Sequence, residues 1–154
     1  MPRRVFFSFD YSDVNRALVV RNGEFTAGEV IAGLVERAEF EAVERQGDTA
    51  VKAWIDGQMG GTSVTVVLVG ADTCKSQWVC YAIMESIKRG NGLLGLDVSG
   101  IKGFDGNGTY RSGRIPHGYP YYNWIEDGGY RNLGGWIAAA ARVASRNCTS
   151  DVLV

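Results

Sequence analysis

Three short runs of unbroken apolar character constrain this chain more than anything else in it: "RVFFSF" (4–9), "SVTVVLVG" (63–70) and "GLLGLDV" (92–98). Successive side chains of a strand point to opposite faces, so a strand with one wet face alternates apolar and polar residues. Runs without alternation, rich in β-branched residues and bounded by Asp or Gly, fit strands covered on both faces, as in a parallel sheet.

Covering both faces requires helices between the strands. "GDTAVKAWIDGQM" offers Asp48 as an N-cap, followed by Val51, Trp54, Ile55 and Met59 at helical spacing. Residues 75–89 read as a second helix stopped by Gly90, and the alanine-rich "GGWIAAAARVAS" (134–145) as a third. Residues 24–46 are ambiguous, although "LVERAEFEAVERQ" looks helical. Strands alternating with helices imply right-handed βαβ units, an α/β class and an open, doubly wound parallel sheet. Ligands bind such sheets beyond the carboxyl ends of the strands. That places "FDYSD" and "GADTCKSQW" on one rim. Without an internal repeat or a boundary signal, residues 1–154 read as a single domain.

Composition narrows the function classes. With 45% hydrophobic residues, 154 residues suffice for one core. A net charge of −1 gives no electrostatic footprint for nucleic acid or an anionic membrane surface. No apolar run approaches the roughly 20 residues that span a bilayer, and "MPRRVFFSFDYSD" lacks the features of a signal peptide. Three cysteines (Cys74, Cys80, Cys148), odd in number and without CxxC spacing, indicate neither a disulfide framework nor a metal site. The expectation is a cytoplasmic protein with no metal. Glycine clusters in residues 100–135, among several Tyr, which predicts long ordered loops there. Tyr119, Tyr121, Tyr122 and Trp124 are expected to staple them to the core.

Several motifs fail on context. "GNGLLG" (90–95) matches GxGxxG, but it closes a helix and opens a strand, the reverse of a dinucleotide fingerprint, so a tight turn is the better reading. "DGNGTY" (105–110) has Tyr110 where a calcium loop requires glycine. His117 is the lone histidine, without an identifiable catalytic partner. The second run ends in Gly70-Ala71 with no acceptor Asp at its tip, and "FDYSDVNR" lacks a Ser/Thr/Gly run to cradle phosphate.

One helix is odd. In "KSQWVCYAIMESIKRGNGLLGL" (75–96), Val79, Cys80, Ile83, Met84 and Ile87 form the apolar stripe at about 100° per residue. Trp78, Ala82 and Glu85 fall roughly opposite. A large aromatic beside a very small side chain and an acid, away from the stripe, asks for an explanation.

A resemblance supplies one. "RRVFFSFDYSDVNRALVVRNG", "GDTAVKAWIDGQMGGTSVTVVLVGADTCKSQWVCYAI" and "SIKRGNGLLGLDV" together resemble the bacterial TIR-like domains of Thoeris antiphage systems. "YNWIEDGGYRNLGGWIAAAA" is similar to their C-terminal part. The resemblance implies a flavodoxin-like fold and an enzyme that takes NAD+ as substrate, without a cofactor, and cuts the nicotinamide–ribose bond. It further implies a cyclic ADP-ribose-type product that activates a separate effector protein, and is compatible with a homo-oligomer. The family carries a W-x-x-x-E motif whose glutamate is catalytic. Here it reads Trp78-Val79-Cys80-Tyr81-Ala82, with the tryptophan present and the acid replaced by Ala82.

That replacement matters chemically. Breaking the bond builds positive charge on the ribose, as in glycoside hydrolysis, and a carboxylate stabilises it. Glu85 lies about 4.5 Å further along the helix axis, too far to substitute where an ångström counts. The chain is therefore expected to be catalytically impaired, Ala82 being read as an engineered Glu→Ala change. The alternative is a naturally non-catalytic module that senses nucleotides or assembles through TIR–TIR contacts. By resemblance Ser8, Phe9, Asp10 and Tyr11 line the nicotinamide-ribose pocket, although Phe9 also reads as core and Asp10 as a turn cap. Arg21 and Asn22 read either as phosphate or ribose ligands or as a solvated loop. Trp78 reads as a pocket wall, or as buried packing.

Overall fold

The computed structural model describes residues 3–22, 30–34, 37–102, 115–116 and 118–153. In chain order the elements are β1 (Arg4–Ser8), α1 (Val14–Arg21), β2 (Val30–Ala32), α2 (Arg37–Glu44) and α3 (Asp48–Met59). There follow β3 (Val64–Val69), α4 (Gln77–Lys88), β4 (Gly92–Asp97), β5 (Tyr121–Asn123) and α5 (Gly129–Leu153). The strands form one parallel sheet in the order β2-β1-β3-β4-β5. This is the flavodoxin-like order, and the winding reverses between β1 and β3, where a crevice opens at the strand ends.

The apolar runs are covered on both faces, as their lack of alternation predicts. All six residues of β3 are buried. Val64, Val66 and Leu68 pack with Ala17 and Val20 of α1 and Leu133 and Ile137 of α5. Val67 and Val69 face the other way, onto Val79 of α4. Phe6 joins Val51, Ile55 and Met59 of α3 on that second face. Each such side chain contributes about 1.5–3 kcal/mol relative to exposure.

Element boundaries and one helix face differ from expectation. Asp48 is the first residue of α3, and Gly47, at φ 102°, holds the cap position with no side-chain cap bond. Residues 24–46 contain both β2 and α2, and α1 follows the first strand; neither α1 nor β2 is among the elements expected from the sequence. α5 starts at Gly129, inside the segment expected to be loop, and β5 also lies there. Of the staples, Trp124 is buried and Tyr122 stacks on Trp136 at 3.9 Å, whereas Tyr119 is exposed. His117 and the 105–110 motif lie outside the described residues.

The face of α4 is the instructive difference. Met84 is 70% exposed, and Ile87 and Cys80 are also exposed, while Val79, Ala82 and Ser86 are buried. The helix is turned by about a quarter of a revolution from its most apolar stripe. Ser86 explains the turn. Its hydroxyl donates to the Ala82 carbonyl at 2.7 Å and lies 2.6 Å from Thr65 Oγ1 on β3. A satisfied polar residue and a small one let the helix approach the sheet closely.

"GNGLLG" is a helix stop, as read. Gly90 has φ 73°, its amide donates to the Ile87 carbonyl, and the Asn91 amide donates to that of Ser86. That is a Schellman ending. Gly92 then lets α5 come close, since a Cβ there would lie 2.7 Å from the Ala140 carbonyl oxygen.

Candidate active site

A cavity of about 140 Å³ opens at the carboxyl end of β1. Its first wall is the chain leaving that strand. Ser8 is buried, Phe9 follows, and Asp10 then turns the chain. The Asp10 carboxylate accepts from the Ser12 amide at 3.0 Å and the Ser12 hydroxyl at 2.6 Å. These bonds cap a single 3-10 turn, Tyr11–Asp13, that leads into α1. Asp10 caps this turn and also lines the cavity, together with Ser8, Phe9 and Tyr11.

The second wall is the start of α4. Ser76 caps the helix by accepting from the Val79 amide at 3.3 Å. Trp78 and Ala82 line the cavity one turn apart. Ala82 is only 1% exposed and packs among Phe6, Ile55 and Met59. It lies on the buried face of α4, not opposite it, and is still among the residues that line the cavity.

α2 and α3 supply a third wall that no motif or spacing in the chain announces. Phe40, Glu44 and Trp54 line it. Tyr11 stacks on Phe40 with centroids 4.7 Å apart, Phe9 lies 5.6 Å from Tyr11, and Trp54 meets the Phe40 ring edge-on at 5.3 Å. Gly33 closes this side at φ 87°, where a Cβ would lie 2.6 Å from the Phe7 carbonyl oxygen. A hollow walled by aromatic faces suits a flat ring, and carboxylates at its edge suit a cation or a sugar hydroxyl.

The other acid of the helix is committed elsewhere. Glu85 pairs with Arg89 at 3.4 Å and Lys88 at 3.9 Å. Arg89 also reaches Asp56 of α3 at 3.6 Å, and Asp56 accepts from the Tyr81 hydroxyl at 2.9 Å. Desolvation, helped by that bond to Asp56, pushes the Tyr81 phenol up to about 12. This lattice ties α3 to α4 outside the cavity, which Glu85 does not line.

Beneath the rim lies a buried ion pair that the sequence reading missed. Asp13 is 1% exposed and meets Arg16 at 3.2 Å, and Arg16 donates through Nε to the Ile101 carbonyl at 2.8 Å. Burial raises the Asp13 pKa while Arg16 opposes the rise. Gly70 sits directly against this carboxylate, leaving no room for a side chain. The i, i+3 spacing of Asp13 and Arg16 was visible, but surface pairs share it, so it carried no signal of burial.

The structure thus brings Ser8, Phe9, Asp10, Tyr11, Trp78 and Ala82 together. Arg21 and Asn22 are not among them. Both are exposed at the far end of α1, which runs back from the rim for about 10 Å. Among the described residues no cluster of His, Cys, Asp or Glu could hold a metal ion, and no helix is long and apolar enough to cross a membrane.

A relative from Bacillus cereus (strain MSX-D12), named "Putative cyclic ADP-D-ribose synthase ThsB1", is 38% identical over 139 residues, covering 88% of this chain and 72% of its own. The family model described as "Thoeris protein ThsB, TIR-like domain" matches residues 6–102, from β1 through β4. The chain belongs to the TIR-like domain family of the Thoeris protein ThsB.

Proposed function

We propose that the rim cavity takes NAD+ and that its framework is built to break the nicotinamide–ribose bond, releasing a cyclic ADP-ribose-type signal for a separate effector in antiphage defence. The placement of Ala82 carries this reading. The position that resembles the family's catalytic acid lines the cavity, one turn from Trp78. The name of the Bacillus cereus relative supports the same product class. Ala82 offers no charge to a cationic transition state, so the chain as given turns over slowly, and Ala82→Glu restores the rate. On this account the alanine is an engineered replacement.

A second reading rests on one observation: Ala82 is packed in the Phe6–Ile55–Met59 cluster as a native alanine would be. The chain is then a silent nucleotide-sensing or TIR–TIR interaction module that works in the cytoplasm without catalysis.

Mass spectrometry of the products formed from NAD+ by the Ala82→Glu protein tests the choice. Nicotinamide with a cyclic ADP-ribose-type nucleotide is expected. Linear ADP-ribose alone would remove the cyclic signal, and intact NAD+ would favour the silent module.

A further inference from the structure

Among the described residues that line the cavity two are acidic, Asp10 and Glu44. Asp10 is occupied by the Ser12 amide and hydroxyl. Glu44 is the last residue of α2, and its side chain is exposed at the cavity wall. No described residue engages its carboxylate in a hydrogen bond or an ion pair. The wall that carries it is held by the Tyr11–Phe40 stack and by the Phe40–Trp54 edge contact. Two observations meet here: an exposed glutamate without a described partner lines the cavity, and the motif acid of that cavity is replaced by Ala82.

We propose that Glu44 is a catalytic residue of this chain, supplying from α2 the negative charge that α4 lacks at Ala82. The inference rests on the NAD+-cleaving reading above. In that reaction the C1′–N bond breaks and its electron pair passes to the nicotinamide nitrogen, leaving the ring neutral. C1′ gains a bond from the oxygen of water, whose proton goes to solvent, giving ADP-ribose. Where a nucleophile of the same nucleotide replaces the water, the product is cyclic. Glu44 is unchanged at the end; it stands against the charge that develops on the ribose and accepts from its hydroxyls. Because it approaches from a solvent-exposed helix end, it accelerates less than an acid at position 82.

Nicotinamide release separates the outcomes when four variants are compared with the chain as given: Glu44→Gln, Glu44→Asp, Glu39→Gln and Ala82→Glu. Glu39 is exposed on the same helix and does not line the cavity. The parent is expected to release nicotinamide slowly. Glu44→Gln should lower kcat by about tenfold or more with KM little changed, the mark of an interaction made in the transition state. Glu44→Asp keeps part of the rate, and Glu39→Gln keeps all of it. Equal rates for Glu44→Gln and the parent overturn the proposal, as does a silent parent beside an active Ala82→Glu protein. If Ala82→Glu is also silent although folded, the NAD+-cleaving reading falls and takes this one with it.

Discussion

The hydroxyls of Ser86 and Thr65 lie 2.6 Å apart in the buried seam between α4 and β3. Ser86 spends its proton on the Ala82 carbonyl, so Thr65 is the donor of the pair. This short chain of bonds fixes which face of α4 meets the sheet, and through it where Trp78 and Ala82 stand.

Ser86→Ala is therefore expected to cost about 1–3 kcal/mol, because it strands the fully buried Thr65 hydroxyl. Adding Thr65→Val should recover much of the loss, since both polar partners are then gone. Denaturant unfolding of the two single variants and the double variant checks this. Simple additivity of the two losses would contradict it.

Arg16→Leu is expected to destabilise by about 3 kcal/mol near pH 7, where it leaves the Asp13 carboxylate buried without its counter-charge. The sign with pH follows from the raised Asp13 pKa. Between the ordinary value of 3.8 and the higher folded value, the folded state holds more protons, so the contribution of Asp13 falls as pH rises. Protonated Asp13 needs no partner, and the Arg16→Leu penalty should shrink as pH falls through that window. A penalty independent of pH would remove the ion pair from the account.

Gly92→Ala should cost about 1–3 kcal/mol, because its methyl would press on the backbone of α5 at Ala140. Thermal unfolding reads this directly. A change within about 0.5 kcal/mol, as expected for an unconstrained surface site, would mean that α5 is not seated as described.

Ala82→Glu itself should lower stability by about 1–3 kcal/mol, since its added carboxylate has Phe6 and Ile55 as neighbours and must find solvation in the cavity. NAD+ should raise the melting temperature of both forms, because a ligand that binds only the folded state stabilises it. Unchanged melting at millimolar NAD+ in both would argue against this cavity as its site.

The central strands were legible because two-sided burial leaves an unbroken apolar run, as in "SVTVVLVG". β2 and β5 are three residues each and lie at the sheet edges, where Val30 is exposed and Tyr121–Asn123 only half-buried, so neither leaves a run long enough to mark a strand. α4 was located correctly and rotated wrongly. Counting apolar residues credits Met84 and Ile87, and cannot know that Ser86 finds Thr65 across the sheet. The rim residues of β1 and α4 were legible from strand-end logic together with the family resemblance. Phe40, Glu44 and Trp54 reach the cavity only through packing between helices distant in sequence, which no local pattern encodes.

Nicotinamide released from NAD+ by equal amounts of the chain as given and its Ala82→Glu variant decides whether position 82 is the seat of catalysis. Release is expected to be faster by a factor on the order of 10² in the glutamate form. A folded Ala82→Glu protein that frees nicotinamide no faster than the alanine chain would contradict it.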